Sequence, residues 1–137
     1  MSIGASTIAG ATPVNERVGT VSTPASGIQP QLVLKGSVLH AVYFAGDPTH
    51  GDIFYTRSTD FGKTFFPAIR VNSQEGSAIG IGSIRGAQIA VGKDACVHVA
   101  WNGSDTAEPR GPINPEAGKP SSPMLWQGYR FLEQEDI

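Results

Sequence analysis

The chain has 137 residues, a formal net charge of −2, 17 Gly and 10 Pro, which fits one turn-rich domain or less. Neither a basic excess nor a block of like charge points to nucleic acid or a charged tail. No run of about 18 apolar residues makes a membrane helix. The single cysteine, Cys96, excludes an internal disulfide and, inside an apolar run, reads as a small buried hydrophobe.

The first ten residues carry neither a basic stretch nor a hydrophobic core segment, so no secretory signal is read there and localisation stays open. Residues 12–21 look like the closing strand of a preceding unit. Short runs rich in β-branched and aromatic residues then predict strands at Gln29–Leu34, Val38–Phe44, Asp52–Arg57 and Phe66–Asn72. Two more follow at Arg85–Val91 and Ala95–Trp101, and a third strand of that set is expected to begin near Pro123. No segment has helical periodicity. The runs are nearly continuously apolar, which predicts sheets covered on both faces. His40 and His98, mid-strand in such runs, are expected to be packed rather than reactive.

The strands repeat. Val14-Asn15 recurs as Val71-Asn72, 57 residues on (72 − 15), and Gly19, Ser26 and Gln31 find Gly76, Ser83 and Gln88 at the same offset. One inserted residue later, His40 meets His98 and Tyr43 meets Trp101 at 58 (98 − 40). A unit of this length with four short strands is expected to be a β-propeller blade. The predicted fold is all-β, a propeller fragment with about one complete four-stranded antiparallel blade and parts of two others. Residues 1–27 form the incomplete preceding blade and linker, 28–72 the complete blade and 73–84 an inter-blade loop. Residues 85–137 form an incomplete following blade with a long loop at 102–122 and an atypical C-terminal tail.

Between the third and fourth strands lies Ser58-Thr59-Asp60-Phe61-Gly62-Lys63-Thr64-Phe65. Ser and Asp two apart close a turn on backbone N–H groups, Gly62 suits a positive φ, and Thr64-Phe65 re-enters an extended run with an apolar anchor. Ser58, Asp60, Gly62, Thr64 and Phe65 fill the defining positions of a pattern that resembles the Asp box of sialidase-like (neuraminidase) propellers. Phe65 stands where Trp is commoner. In that family the box is a structural turn on the rim, so the resemblance implies a scaffold and not the place of the chemistry.

Connections of an antiparallel meander alternate between the two ends of the sheet. The short links at 35–37 and 92–94 share one end with the octapeptide. The longer segments Ala45–Gly51, 73–84 and 102–122 share the other, where binding and catalysis are expected. Asp47 there resembles in position the general acid of sialidases, although Asp47-Pro48 reads first as an ordinary turn starter, with a ligand or cation contact as a third reading. His50 and Asp52 have weaker claims on the same loop. The resemblance also asks for arginines that hold a substrate carboxylate in bidentate fashion. Arg85 is the local candidate, with a surface or inter-blade ion pair as its other reading, and the family's early Arg-Ile-Pro motif is missing.

One whole blade cannot close a propeller. The chain is therefore expected to be a truncated piece of a longer product, inactive alone, its remaining blades elsewhere. The resemblance implies a fragment of an exo-sialidase-type glycoside hydrolase acting on terminal sialic acids with a Tyr nucleophile. The alternative is a non-catalytic Asp-box propeller that binds glycan or protein through its loop-rich face. A carbohydrate is the ligand of the first reading and one of two ligand classes, glycan or protein, of the second, with no cofactor, no metal, no nucleic acid and no membrane span expected.

Overall fold

The computed structural model describes residues 19–81, 86–107, 126–133 and 137. Arg85, residues 12–18 of the expected first strand and most of the long loop at 102–122 lie outside them, and residues 19–21 are not strand. Among the described residues the fold is all-β, its one helical element a single 3₁₀ turn at Pro24–Ser26. β1 (Ile28–Lys35), β2 (Val38–Asp47), β3 (His50–Ser58) and β4 (Ile69–Arg70) make an antiparallel sheet in the order β1-β2-β3-β4. β5 (Ala87–Val91), β6 (Val97–Gly103) and β7 (Trp126–Leu132) make a second one, ordered β5-β6-β7. Among the described residues no helix is long and apolar enough to cross a membrane.

Three expectations need correction. Ala45–Gly51 is not a long loop: β2 and β3 stay paired to Asp47↔His50, leaving a two-residue turn at Pro48-Thr49. Gly46 and Gly51 face each other in that extension, and a Cβ on Gly51 would lie 2.2 Å from the Phe44 ring, so a glycine is needed for the strands to run on. The fourth strand shrinks from Phe66–Asn72 to two residues, because Pro67 has no N–H to give the ladder. The C-terminal segment is no atypical tail, since residues 126–132 pair along β6 as the third strand of the second sheet.

The two sheets pack face to face. Val42, Phe44, Ile53, Tyr55 and Val71 of the first meet Ala87, Val97, Val99 and Leu132 of the second, all nearly or fully buried. Removing each of the larger side chains from water is worth about 1.5–3 kcal/mol, so this seam is the principal core. The repeat read in the sequence governs the pairing. Leu32↔Ala41, Val33↔His40 and Leu34↔Leu39 in the first sheet become Ile89↔Val99, Ala90↔His98 and Val91↔Val97 in the second, at the offsets of 57 and 58. The Arg130 guanidinium crosses to the Val71 carbonyl at 3.2 Å and the Gln29 amide to that of Gly80 at 3.2 Å, tying β7 and β1 across the interface.

Candidate functional site

The octapeptide turn satisfies itself. Ser58 Oγ accepts from Gly62 N–H at 2.8 Å and donates to Asp60 Oδ1 at 2.7 Å. Asp60 then accepts from Thr64 N–H at 2.9 Å and from Thr64 Oγ1 at 2.6 Å. Bonds from Thr64, reinforced by Ser58, hold the Asp60 carboxyl well below the usual carboxylate range. Gly62 has φ +83°, where a side chain is strained, and its Cα lies under Leu39. Phe61 also takes a positive φ and projects into solvent, whereas Phe65 is half-buried. With both carboxylate oxygens engaged in its own loop, Asp60 has little left for a ligand.

Two buried polar groups stiffen the sheet between its ends. His40 Nδ1 and the Tyr55 hydroxyl share a bond of 2.8 Å. Burial, with the nearby Arg57 charge, pushes the His40 pKa below its ordinary value, and burial pushes that of Tyr55 up to about 12. His40 is thus a packed, neutral histidine, as its place in an apolar run implies.

The opposite end is built differently. Asn72, nearly fully buried, is its hub. Its Oδ1 accepts from Ile53 N–H at 2.8 Å, and its Nδ2 reaches Asp52 Oδ1 at 2.6 Å, the Gln74 carbonyl at 2.7 Å and Ser77 Oγ at 3.1 Å. Asp52 also takes the Gly76 N–H at 2.9 Å. Ala78 bridges Gly51 of the first sheet and Gly103 of the second, and Ser104 Oγ donates to the Gly76 carbonyl at 2.9 Å. The 73–80 segment is thereby riveted to both sheets.

On this base sits an exposed row of polar groups. Asp47 Oδ1 accepts from Thr49 N–H at 2.8 Å and from Thr49 Oγ1 at 2.5 Å. Thr49 Oγ1 and His50 Nδ1 are 2.9 Å apart, and His50 Nε2 reaches Asp105 Oδ1 at 2.8 Å. The Thr49 hydroxyl spends its proton on Asp47, so its lone pairs face His50 Nδ1 while the Asp105 carboxylate faces Nε2. The Thr49 hydroxyl and N–H hold the Asp47 carboxyl below its ordinary range. A general acid working near neutrality needs the opposite shift. Asp47 therefore carries a stable negative charge at the mouth of the hairpin.

Asp47 and His50 are brought together with Asp105, a partner that sequence reasoning passed over. The signal was present, because Asp105 stands 58 residues after Asp47 (105 − 47), the offset that aligns His40 with His98. Thr49 and Ser104 were likewise passed over, and Asn72 was marked only as half of the repeated Val-Asn pair. Among the described residues no group of three or more His, Cys, Asp or Glu side chains is arranged to hold a metal ion. Comparison with protein-family models, with curated proteins and with solved structures finds no match.

Proposed function

We propose that the two sheets are consecutive blades of a sialidase-like Asp-box propeller, and that their role is non-catalytic. The blades hold a rigid rim that binds a hydroxyl-rich glycan through Asp47, Thr49, His50 and Asp105. One observation carries this reading: at the end opposite the octapeptide, hydrogen-bonding side chains are fixed in an exposed row on a buried polar base. Oriented carboxylates and an imidazole suit sugar hydroxyls, which donate and accept in pairs. The stacking of the sheets at the repeat offsets supports the propeller element of the proposal.

The hydrolase reading makes a different demand. There Asp47 keeps a proton for a leaving glycosidic oxygen and Arg85 grips a sialoside carboxylate, but Asp47 is held ionised by Thr49. The described rim carries Asp47, Glu75 and Asp105 against His50 and Arg70, a charge balance that favours a neutral sugar over a carboxylated one.

The experiment is calorimetric titration of the protein with neutral and with sialylated oligosaccharides, run beside hydrolysis of a fluorogenic sialoside. Binding of neutral sugars without hydrolysis is expected. Turnover of the sialoside that Asp47→Ala abolishes would establish the hydrolase instead.

A further inference from the structure

At the octapeptide end of the first sheet, β3 and the segment entering β4 enclose a groove of about 150 Å³. Tyr55, Phe66, Pro67, Ile69 and Ile137 make its walls apolar, and Arg57 brings a charge to it. The half-buried Arg57 holds its guanidinium carbon 4.8 Å from the centre of the Phe66 ring, a cation–π contact. Neighbouring bonds fix this arrangement. Phe66 N–H donates to the Arg57 carbonyl at 2.9 Å, and Thr56 Oγ1 donates to the Phe66 carbonyl at 2.6 Å. On the buried side, Tyr55 is held by its 2.8 Å bond to His40.

The ring contact leaves the guanidinium unsatisfied. Among the described residues no carboxylate lies within ion-pair reach of Arg57, and no acceptor takes its side-chain N–H groups. Arg70 and Arg130, by contrast, are engaged by Glu75 and by the Val71 carbonyl. A half-buried charge without a counter-ion is costly, and its field reaches the neighbours. Burial first and the Arg57 charge second push the His40 pKa below its ordinary value. A planar fork of donors selects a carboxylate, which takes two parallel N–H bonds. The apolar walls select what the carboxylate is attached to. An apolar cavity of about 150 Å³ holds one benzene, so a single ring or branched side group fills this groove.

We propose that the groove binds a small free carboxylic acid carrying one ring or one branched aliphatic group. The carboxylate meets the Arg57 guanidinium, and the apolar body lies against Phe66, Ile69 and Ile137. Such a ligand supplies both things the site lacks, a counter-charge and an apolar filling. Arg57 and the rim residue His50 sit at opposite ends of β3, so the inference stands whether or not the rim binds a glycan.

The test is NMR titration of the full chain with sodium benzoate at constant ionic strength. Saturable shifts centred on Arg57, Phe66 and Ile69 are expected, and an excess of neutral oligosaccharide should leave them unchanged. Benzyl alcohol keeps the ring and loses the charge, and should bind at least about tenfold more weakly. Arg57→Gln should weaken benzoate by a similar factor while circular dichroism shows the fold retained. Should that variant fail to fold, the comparison of benzoate with benzyl alcohol on the wild-type chain decides alone. Acetyl-Ala-Ala-Phe offers the same ring and carboxylate on a peptide and should bind no more tightly than benzoate. Absence of saturable shifts at the groove would overturn the proposal, as would benzyl alcohol binding as well as benzoate or a folded Arg57→Gln that binds unchanged. Tighter binding of the peptide would overturn the assignment to a free acid.

Discussion

The two ends of the first sheet use the same chemistry, short polar side chains bonded to backbone, for different results. At the octapeptide end, Ser58, Asp60 and Thr64 close a circuit within eight residues and leave little unsaturated. At the other end, Asn72 draws together β3, the 73–77 segment and, through Gly76 and Ser104, the second sheet. The exposed row from Asp47 to Asp105 then lies on top with capacity to spare. A local circuit supports one hairpin. A long-range one supports an interface and presents a surface, and this difference separates scaffold from candidate site.

The comparison is broken most severely at the long-range hub. Asn72→Ala strips the buried Ile53 N–H of its acceptor and removes the amide bonds to Asp52, the Gln74 carbonyl and Ser77, and should cost about 3 kcal/mol. The denaturant midpoint measures this, and hydrogen exchange should show both sheets loosened together. Ser58→Ala at the local end should cost about 2 kcal/mol, from the buried Gly62 N–H left without its partner. Its added exchange should stay within the β3–β4 hairpin. Equal spread of the two effects would erase the distinction between the ends.

Smaller still is the pH response, which falls in two windows. The folded pKa of His40 is depressed, so its contribution is complete above the unfolded value of about 6.5 and declines as pH falls below that, when the unfolded chain takes up the proton first. The folded pKa values of Asp60 and Asp47 are also depressed. Their contribution is complete above about 3.8 and is lost as pH falls below it. Thermal melts from pH 8 to pH 3 should show both declines, and His40→Gln should remove the upper one alone.

Much of this architecture is legible in the sequence because strand pairing is strict. The match of His40 with His98 works as a ruler, since a slip of one residue would turn every buried side chain of a strand outward. The octapeptide is legible for a related reason: its partners all lie within a few residues, so composition specifies the geometry. The rim is harder to read. Its circuit joins Asn72 to Ile53 and His50 to Asp105 across 19 and 55 residues, and no local spacing encodes such contacts. Turn signals misled at Gly46-Asp47-Pro48, where five of the seven expected loop residues, 45–47 and 50–51, proved to be paired strand and only Pro48-Thr49 turns. They misled again at Phe66-Pro67, where one missing N–H shortened a strand that looked continuous. The third strand of the second set, expected to begin near Pro123, runs over Trp126–Leu132, and its polar residues hid its extent.

The division of labour between the ends is tested most directly by measuring melting temperature and oligosaccharide affinity together for Ser58→Ala and Asp105→Asn. Asp105 belongs to an exposed pair with His50, worth at most about 1 kcal/mol. Its replacement should leave the melting temperature within about 3 °C of wild type while weakening sugar binding at least tenfold, whereas Ser58→Ala should lower the melting temperature and keep the affinity of the folded protein. Affinity lost with Ser58→Ala and retained with Asp105→Asn would contradict the account.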